Sequence, residues 1–343
     1  MLNAENQVDN TIEKPGLVLA GLIYSLVSVL LITVGSFVQK REFYSGILIT
    51  EFILILLPPV LFLASKKYDI RRVLRLNSIS FLNLFIILFM MLFSLWIVNV
   101  LNIFNLWLIK SIFGQVILPS IPVATSGYQA LIGVLVIGSS AGICEEILFR
   151  GVIQRSLERF GTFLSIFITG ILFGLFHMDF QRFIGTFLLG ILIGFIVYRT
   201  NSLYGGMFAH FANNSLAVLI SFFARKLAPL DIAGIESGET YINDYFGMLE
   251  SIPDFQLTVV IIVWIISIMF CGAALAGLIY AFVKNTSRRR EEIKAAGRGR
   301  MLPVILAFSP GLAVIAFMYI LIGYGLSGEQ MEFISRLFGL FGL

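Results

Sequence analysis

Nine apolar stretches separated by short polar connectors organise this chain. They run over roughly 16–38, 44–64, 80–104, 129–153, 161–178, 183–198, 203–223, 257–283 and 302–326. Most lie near the ~20 residues a helix needs to cross a bilayer. The pattern predicts an all-α fold, a polytopic transmembrane helical bundle of about 8–9 helices. Residues 1–128 form an N-terminal membrane region with three of them, 129–223 a central block of four, 224–256 an acidic loop, and 257–343 the last membrane helices with a basic loop and a short amphipathic tail from 328. Neither a soluble domain nor a repeat is evident. Pro58 and Pro59 should kink the second helix, because proline removes a backbone donor and crowds the preceding turn.

The connectors carry the orientation. Lys66 to Arg75 holds five Lys or Arg, Arg150 to Arg159 three, and Lys284 to Arg300 seven. Counting helices puts all three on one side, which the positive-inside rule makes cytoplasmic, along with the N-terminus. The segment from Ala224 to Phe255, with six acids against two bases, falls on the other side. The first fifteen residues lack the basic region and cleavage site of a signal peptide, so the first apolar stretch reads as a retained helix.

Composition agrees. The chain is 58% hydrophobic and 13% charged, outside the range of soluble domains and in keeping with an integral membrane protein, of prokaryotic plasma membrane type. Its net charge of +4 follows from the connectors, so the partners expected are the lipid bilayer and a membrane-borne peptide or lipidated protein, with no nucleic acid. Oligomeric state is not legible. Cys144 and Cys271 lie far apart in apolar segments without ligand-like spacing and read as small buried hydrophobes.

The central block differs in texture. Gly138 and Gly142, Gly170 and Gly174, and Gly190 and Gly194 each form a small-xxx-small pair, which lets membrane helices approach closely. The same block holds both histidines of the chain, His177 and His210, and the adjacent carboxylates Glu145 and Glu146. Ionisable groups at membrane depth are costly and mark a functional site by default. A hairpin turning near Phe160 and Gly161 puts Glu145 level with His177, at ~1.5 Å per residue. A second, turning near Asn201, returns His210 and Asn214 to within roughly ten ångströms of that layer, a gap that modest tilt closes.

Spacing within each helix assigns partners. Glu146 and Arg150 are i and i+4 with the acid N-terminal, the favourable order for an ion pair. Glu145, rotated ~100° away, is left without a local cation and can point into the bundle as a general base. His210 and Asn214 share a helix face and can donate to one atom. Phe173, one turn before His177, would wall the site against lipid. Glu51, in the second helix, reads as the partner of a polar group on a neighbour.

EEILFR (Glu145–Arg150), FGLFH (Phe173–His177) and HFANN (His210–Asn214) resemble the ordered motifs EExxxR, FxxxH and HxxxN of the CAAX protease and bacteriocin-processing family, also called CPBP or Abi, of intramembrane endopeptidases. The resemblance covers about 129–223 and implies a catalytic core of four helices that cleaves a peptide bond at or within the membrane. By it, Glu145 with His177 would activate water, His210 with Asn214 would stabilise the oxyanion, and Glu146, Arg150 and Phe173 would support them. The family is commonly labelled metalloprotease. Glu145, His177 and His210 could supply a two-histidine, one-carboxylate set for zinc, and the same residues also support a metal-free water mechanism; there is no HExxH.

Rival readings are weaker. Ser139 and Ser140 in GSSAG fit helix packing better than serine catalysis. GYGLSG at Gly323 to Gly328 matches GxGxxG without a preceding strand, so nucleotide binding is not supported. Arg288 to Arg290 is a topology signal, and no inverted repeat of a carrier is detectable. The rival from another class is a catalytically silent CPBP-like scaffold that binds a membrane partner. Helix counting places the Glu145 layer about two-thirds of the way across a ~30 Å core from the turn near Phe160, which suggests access from the extracytoplasmic half.

Overall fold

The computed structural model describes residues 14–116, 124–227, 247, 252–286 and 301–327. The tail beyond 327, most of the acidic loop and most of the basic connector after Asn285 lie outside these described residues. Eight helices among them are long and apolar enough to cross a membrane: α1 Leu17–Arg41, α2 Phe43–Ser65, α3 Phe81–Phe113, α4 Gly127–Phe160, α6 Phe183–Thr200, α7 Leu203–Leu227, α8 Asp254–Asn285 and α9 Leu302–Ser327. The ninth apolar stretch is the shorter helix α5, Thr162–Phe176. In hydrocarbon a helix satisfies its backbone N–H and C=O groups within itself, which is why each apolar run becomes one. The chain is a polytopic all-α membrane protein.

Helices α1 and α9 pack along each other, as do α3 and α8, while α4, α5, α6 and α7 form the central group. Tyr24 of α1 links the two regions. Its hydroxyl donates to Leu172 O at 3.0 Å, and its ring meets Phe149, Phe176 and Phe308. In α9, Pro310 cannot donate to the carbonyl of Leu306, and Ser309 Oγ donates to it instead at 3.1 Å.

Both hairpin turns fall where the spacing puts them. Gly161 closes α4 at φ +97°, a conformation glycine adopts without steric cost, and Asn201 closes α6 in the left-handed region. The turns share one end of the bundle, pinned by charge. Glu158, buried there, receives Arg75 at 2.7 Å, Arg155 at 2.9 Å and Lys14 at 3.0 Å, and Leu203 N donates to Arg75 O. Three connecting regions are thereby tied to one carboxylate.

The small-residue pairs do what their spacing predicts. A Cβ on Gly190 would lie 3.0 Å from Gly170 Cα, so α5 and α6 touch backbone to backbone. One on Gly142 would lie 3.0 Å from Met207 O, which fixes α4 against α7. Ahead of Pro58 and Pro59 the helix widens into π-helical turns over Thr50–Leu56, where a kink was expected. The same wider winding flanks the acidic pair of α4, over Val134–Ser139 and Ile147–Gln154. Such bulges recur at functional sites because they re-aim side chains. Outward faces stay apolar, as Phe163 and Met269 show, and lipid is their solvent.

Replacing Gly190 by Leu forces α5 and α6 apart at this contact. It should lower stability by about 1–3 kcal/mol, the usual cost of overpacking, read as a lowered thermal midpoint in detergent.

Candidate active site

Residues of α4, α5 and α7 converge at mid-bundle. On α4, Glu146 and Arg150 are fully buried, and Arg150 Nη1 donates to Glu146 Oε1 at 2.6 Å. Arg150 Nη2 donates to Gly190 O at 2.9 Å, and one turn on Gln154 Nε2 donates to Gly194 O at 3.1 Å. The four-residue step from Arg150 to Gln154 thus matches that from Gly190 to Gly194 across the interface. The glycines bring their carbonyls close enough to be reached.

His210 of α7 also turns to Glu146, with Nδ1 at 2.9 Å from Oε1. A Cβ on Gly206 would lie 3.0 Å from Glu146 Oε2, so this glycine allows α7 to pass so close to the acid. Because the carboxylate accepts, Nδ1 carries the proton and Nε2 faces away from the pair. His177 sits where α5 ends, and its Nδ1 lies 2.9 Å from Phe173 O. A carbonyl only accepts, so this ring also carries its proton on Nδ1, which leaves Nε2 with a lone pair.

Phe173 is the shared wall. Its ring meets His177 edge-on at 5.0 Å and His210 at 5.7 Å, while the Arg150 guanidinium lies over it at 4.7 Å. It is fully buried at the centre of the cluster. The cation–π contact supplies Arg150 with a partner its hydrogen bonds do not cover.

Glu145 points elsewhere. It is buried and faces Glu51 of α2, the two carboxyls within hydrogen-bonding reach of each other. Its Oε2 and that of Glu51 are both buried with no hydrogen-bond partner. Glu51 was read from the sequence as a partner for some polar group on a neighbouring helix, and that group is Glu145. What one sequence could not tell is that α2 packs on α4 here.

Asn214 has Oδ1 held by Asn213 Nδ2 at 3.1 Å, and its own Nδ2 makes a long 3.4 Å bond to Ile137 O. A ligand with a better acceptor can displace so long a contact. The set of Glu145, His177 and His210 weighed for zinc is not gathered: among the described residues no three His, Cys, Asp or Glu side chains converge on a point that could hold a metal. The physical reason is that Glu146 claims His210 and Glu51 faces Glu145. The residues do not fit that group as arranged.

Residues 127–216 match the family described as "Type II CAAX prenyl endopeptidase Rce1-like". Over this segment the chain is similar to CPBP-family proteins. A Bacillus subtilis (strain 168) protein named "Putative membrane peptidase YdiL" is 30% identical over 94 residues, 27% of this chain and 38% of that protein. The chain thus matches well under half the length of this curated relative. No solved structure matches it. The matched segment contains all four candidate catalytic residues and both members of the buried ion pair, but not Glu51.

Removing Arg150 leaves the Glu146 carboxylate in a dry interior with no cation and only the His210 hydrogen bond. Arg150→Ala should cost about 3–5 kcal/mol, whereas Glu146→Gln, which keeps the shape without the charge, should cost less. Thermal unfolding of the purified variants checks both.

Proposed function

We propose that the chain is an intramembrane endopeptidase that hydrolyses a peptide bond in a membrane-associated peptide or a prenylated, CaaX-type protein. The observation that carries this reading is the placing of Glu145 and Glu146. Two adjacent buried acids have different partners: Glu146 accepts from the cation Arg150 and from His210 on its Oε1, while Glu145 faces another acid, Glu51, and no hydrogen bond ties it to a cation. The first is support, and the second is free for chemistry.

Glu145 and the Nε2 lone pair of His177 offer two acceptors to a water molecule. Glu145 takes a proton from that water as its oxygen attacks the scissile carbonyl carbon. Negative charge then develops on the carbonyl oxygen. Asn214 Nδ2 donates to it, and the His210 ring, oriented by the Nδ1 bond to Glu146, is the second stabilising group. Glu145 returns the proton to the departing amine nitrogen as the carbon–nitrogen bond breaks. No step requires a residue beyond those on α4, α5 and α7.

Low-dielectric surroundings favour this arrangement, since preformed donors act more strongly there than in water. The basic connectors support a cytoplasmic N-terminus, with Glu145 deeper toward the opposite half of the membrane.

The test is cleavage of prenylated and unprenylated peptides by purified protein. Asn214→Ala should lower kcat by roughly a hundred- to a thousandfold, the usual cost of one oxyanion donor, with little effect on thermal stability. His177→Ala should abolish measurable turnover. Turnover unchanged in both variants would defeat the assignment and favour a scaffold that binds a membrane partner.

A further inference from the structure

Glu51 is the only charged residue of α2, and no step of the proposed hydrolysis uses it. It is 7% exposed, in the middle of an otherwise apolar membrane helix. A carboxyl at such a place costs stability, so it is retained where it does something else.

Contacts with α1 set the direction in which Glu51 points. A Cβ on Gly46 would lie 2.5 Å from Gln39 Cα, so α1 and α2 meet backbone to backbone a little over one turn before it. Gln39 Nε2 then donates to Thr50 Oγ1 at 3.0 Å, and Thr50 Oγ1 donates to Gly46 O at 2.8 Å. The rotation of α2 is thereby fixed at the residue before Glu51. Wide π-helical winding begins at Thr50, and this stretch packs on the part of α4 that carries the adjacent acids. Glu51 reaches Glu145 there, within hydrogen-bonding distance, and its Oε2 is buried without a partner.

A glutamate side chain is long and rotatable, and a base that wanders is a poor one, because reacting groups must be held in place to gain from proximity. We propose that Glu51 is a positioning residue for the reaction: its carboxyl, reaching in from α2, holds the Glu145 carboxyl in the orientation that meets the water molecule. The role rests on the peptidase reading, but the contact is testable without it. It extends the machinery beyond residues 127–216, onto a helix that the matched segment does not include.

The experiment uses the full chain in detergent, with the peptides named above, below the unfolding midpoint of every variant. Glu51→Leu should lower kcat about a hundredfold with KM unchanged, the order of loss when a reacting group is misplaced by about an ångström. Glu51→Gln, which keeps the length and a polar end, should recover most of that loss. Wild-type kcat in Glu51→Leu, or a Glu51→Gln as slow as Glu51→Leu, would overturn the proposal. Thermal midpoints test the contact separately. Glu51→Leu and Glu145→Leu each strand the other carboxyl in an apolar interior, whereas the double variant strands neither, so it should melt above both single variants. Midpoint shifts that simply add would show that the carboxyls do not hold each other, and would overturn it as well. The two readings fail differently. Coupled midpoints without cleavage by wild type defeat the peptidase and leave the contact standing, and cleavage by wild type with additive midpoints does the reverse.

Discussion

One buried carboxylate, Glu146, holds the centre of this protein together. It accepts from Arg150 on its own helix at 2.6 Å and from His210 of α7 at 2.9 Å. Arg150 spends its remaining capacity on Gly190 O of α6 and the Phe173 ring of α5. Four helices therefore meet through one ion pair. Such a pair in a dry interior does not stabilise by Coulomb attraction alone, because desolvating both charges costs several kcal/mol. The Gly190 carbonyl and the Phe173 face supply further partners to the guanidinium, while Arg150 Nε and Glu146 Oε2 stay buried without a hydrogen bond. The gain is specificity of arrangement: any other register of α4 against α6 or α7 would strand a charge in the membrane.

Backbone contact is what lets the pair reach across. Glycine at 190 brings its carbonyl to Arg150 while touching Gly170 behind it, and glycine at 206 lets α7 pass beside Glu146. Lipid supplies no hydrophobic drive for helices to associate, so close packing and hydrogen bonds must do so. The central group follows that rule. At its edges, the apolar faces of α8 and the outward phenylalanines are left to lipid.

Much of this was legible in the sequence because membrane helices obey length and periodicity so strictly. Apolar run length placed all nine helices, although α3 and α4 extend further than their apolar stretches, to 33 and 34 residues. In α4 the extension carries Arg155, Glu158 and Arg159, which continue the helix without leaving a hydrophobic trace. The i, i+4 spacing of Glu146 and Arg150 was enough to pair them, since that contact is local. Contacts between helices were harder. Nothing in one sequence says that His210 turns to Glu146 rather than Glu145, that Glu51 packs on Glu145, or that Phe173 lies between the two histidines. Each depends on helix rotation, which is set by packing and not by composition. The zinc set failed for the same reason. Its residue types were right, but two of the three are turned to other partners.

In the proposed reaction Glu145, and not its neighbour, delivers a water molecule to a peptide bond. The most direct measurement is single-turnover cleavage of a membrane peptide in heavy-oxygen water, followed by mass spectrometry of the new C-terminus. Wild type should place one heavy oxygen there, and Glu145→Gln should form no product while keeping the wild-type unfolding midpoint. Product formed by Glu145→Gln at the wild-type rate, or a new C-terminus carrying no solvent oxygen, would contradict it.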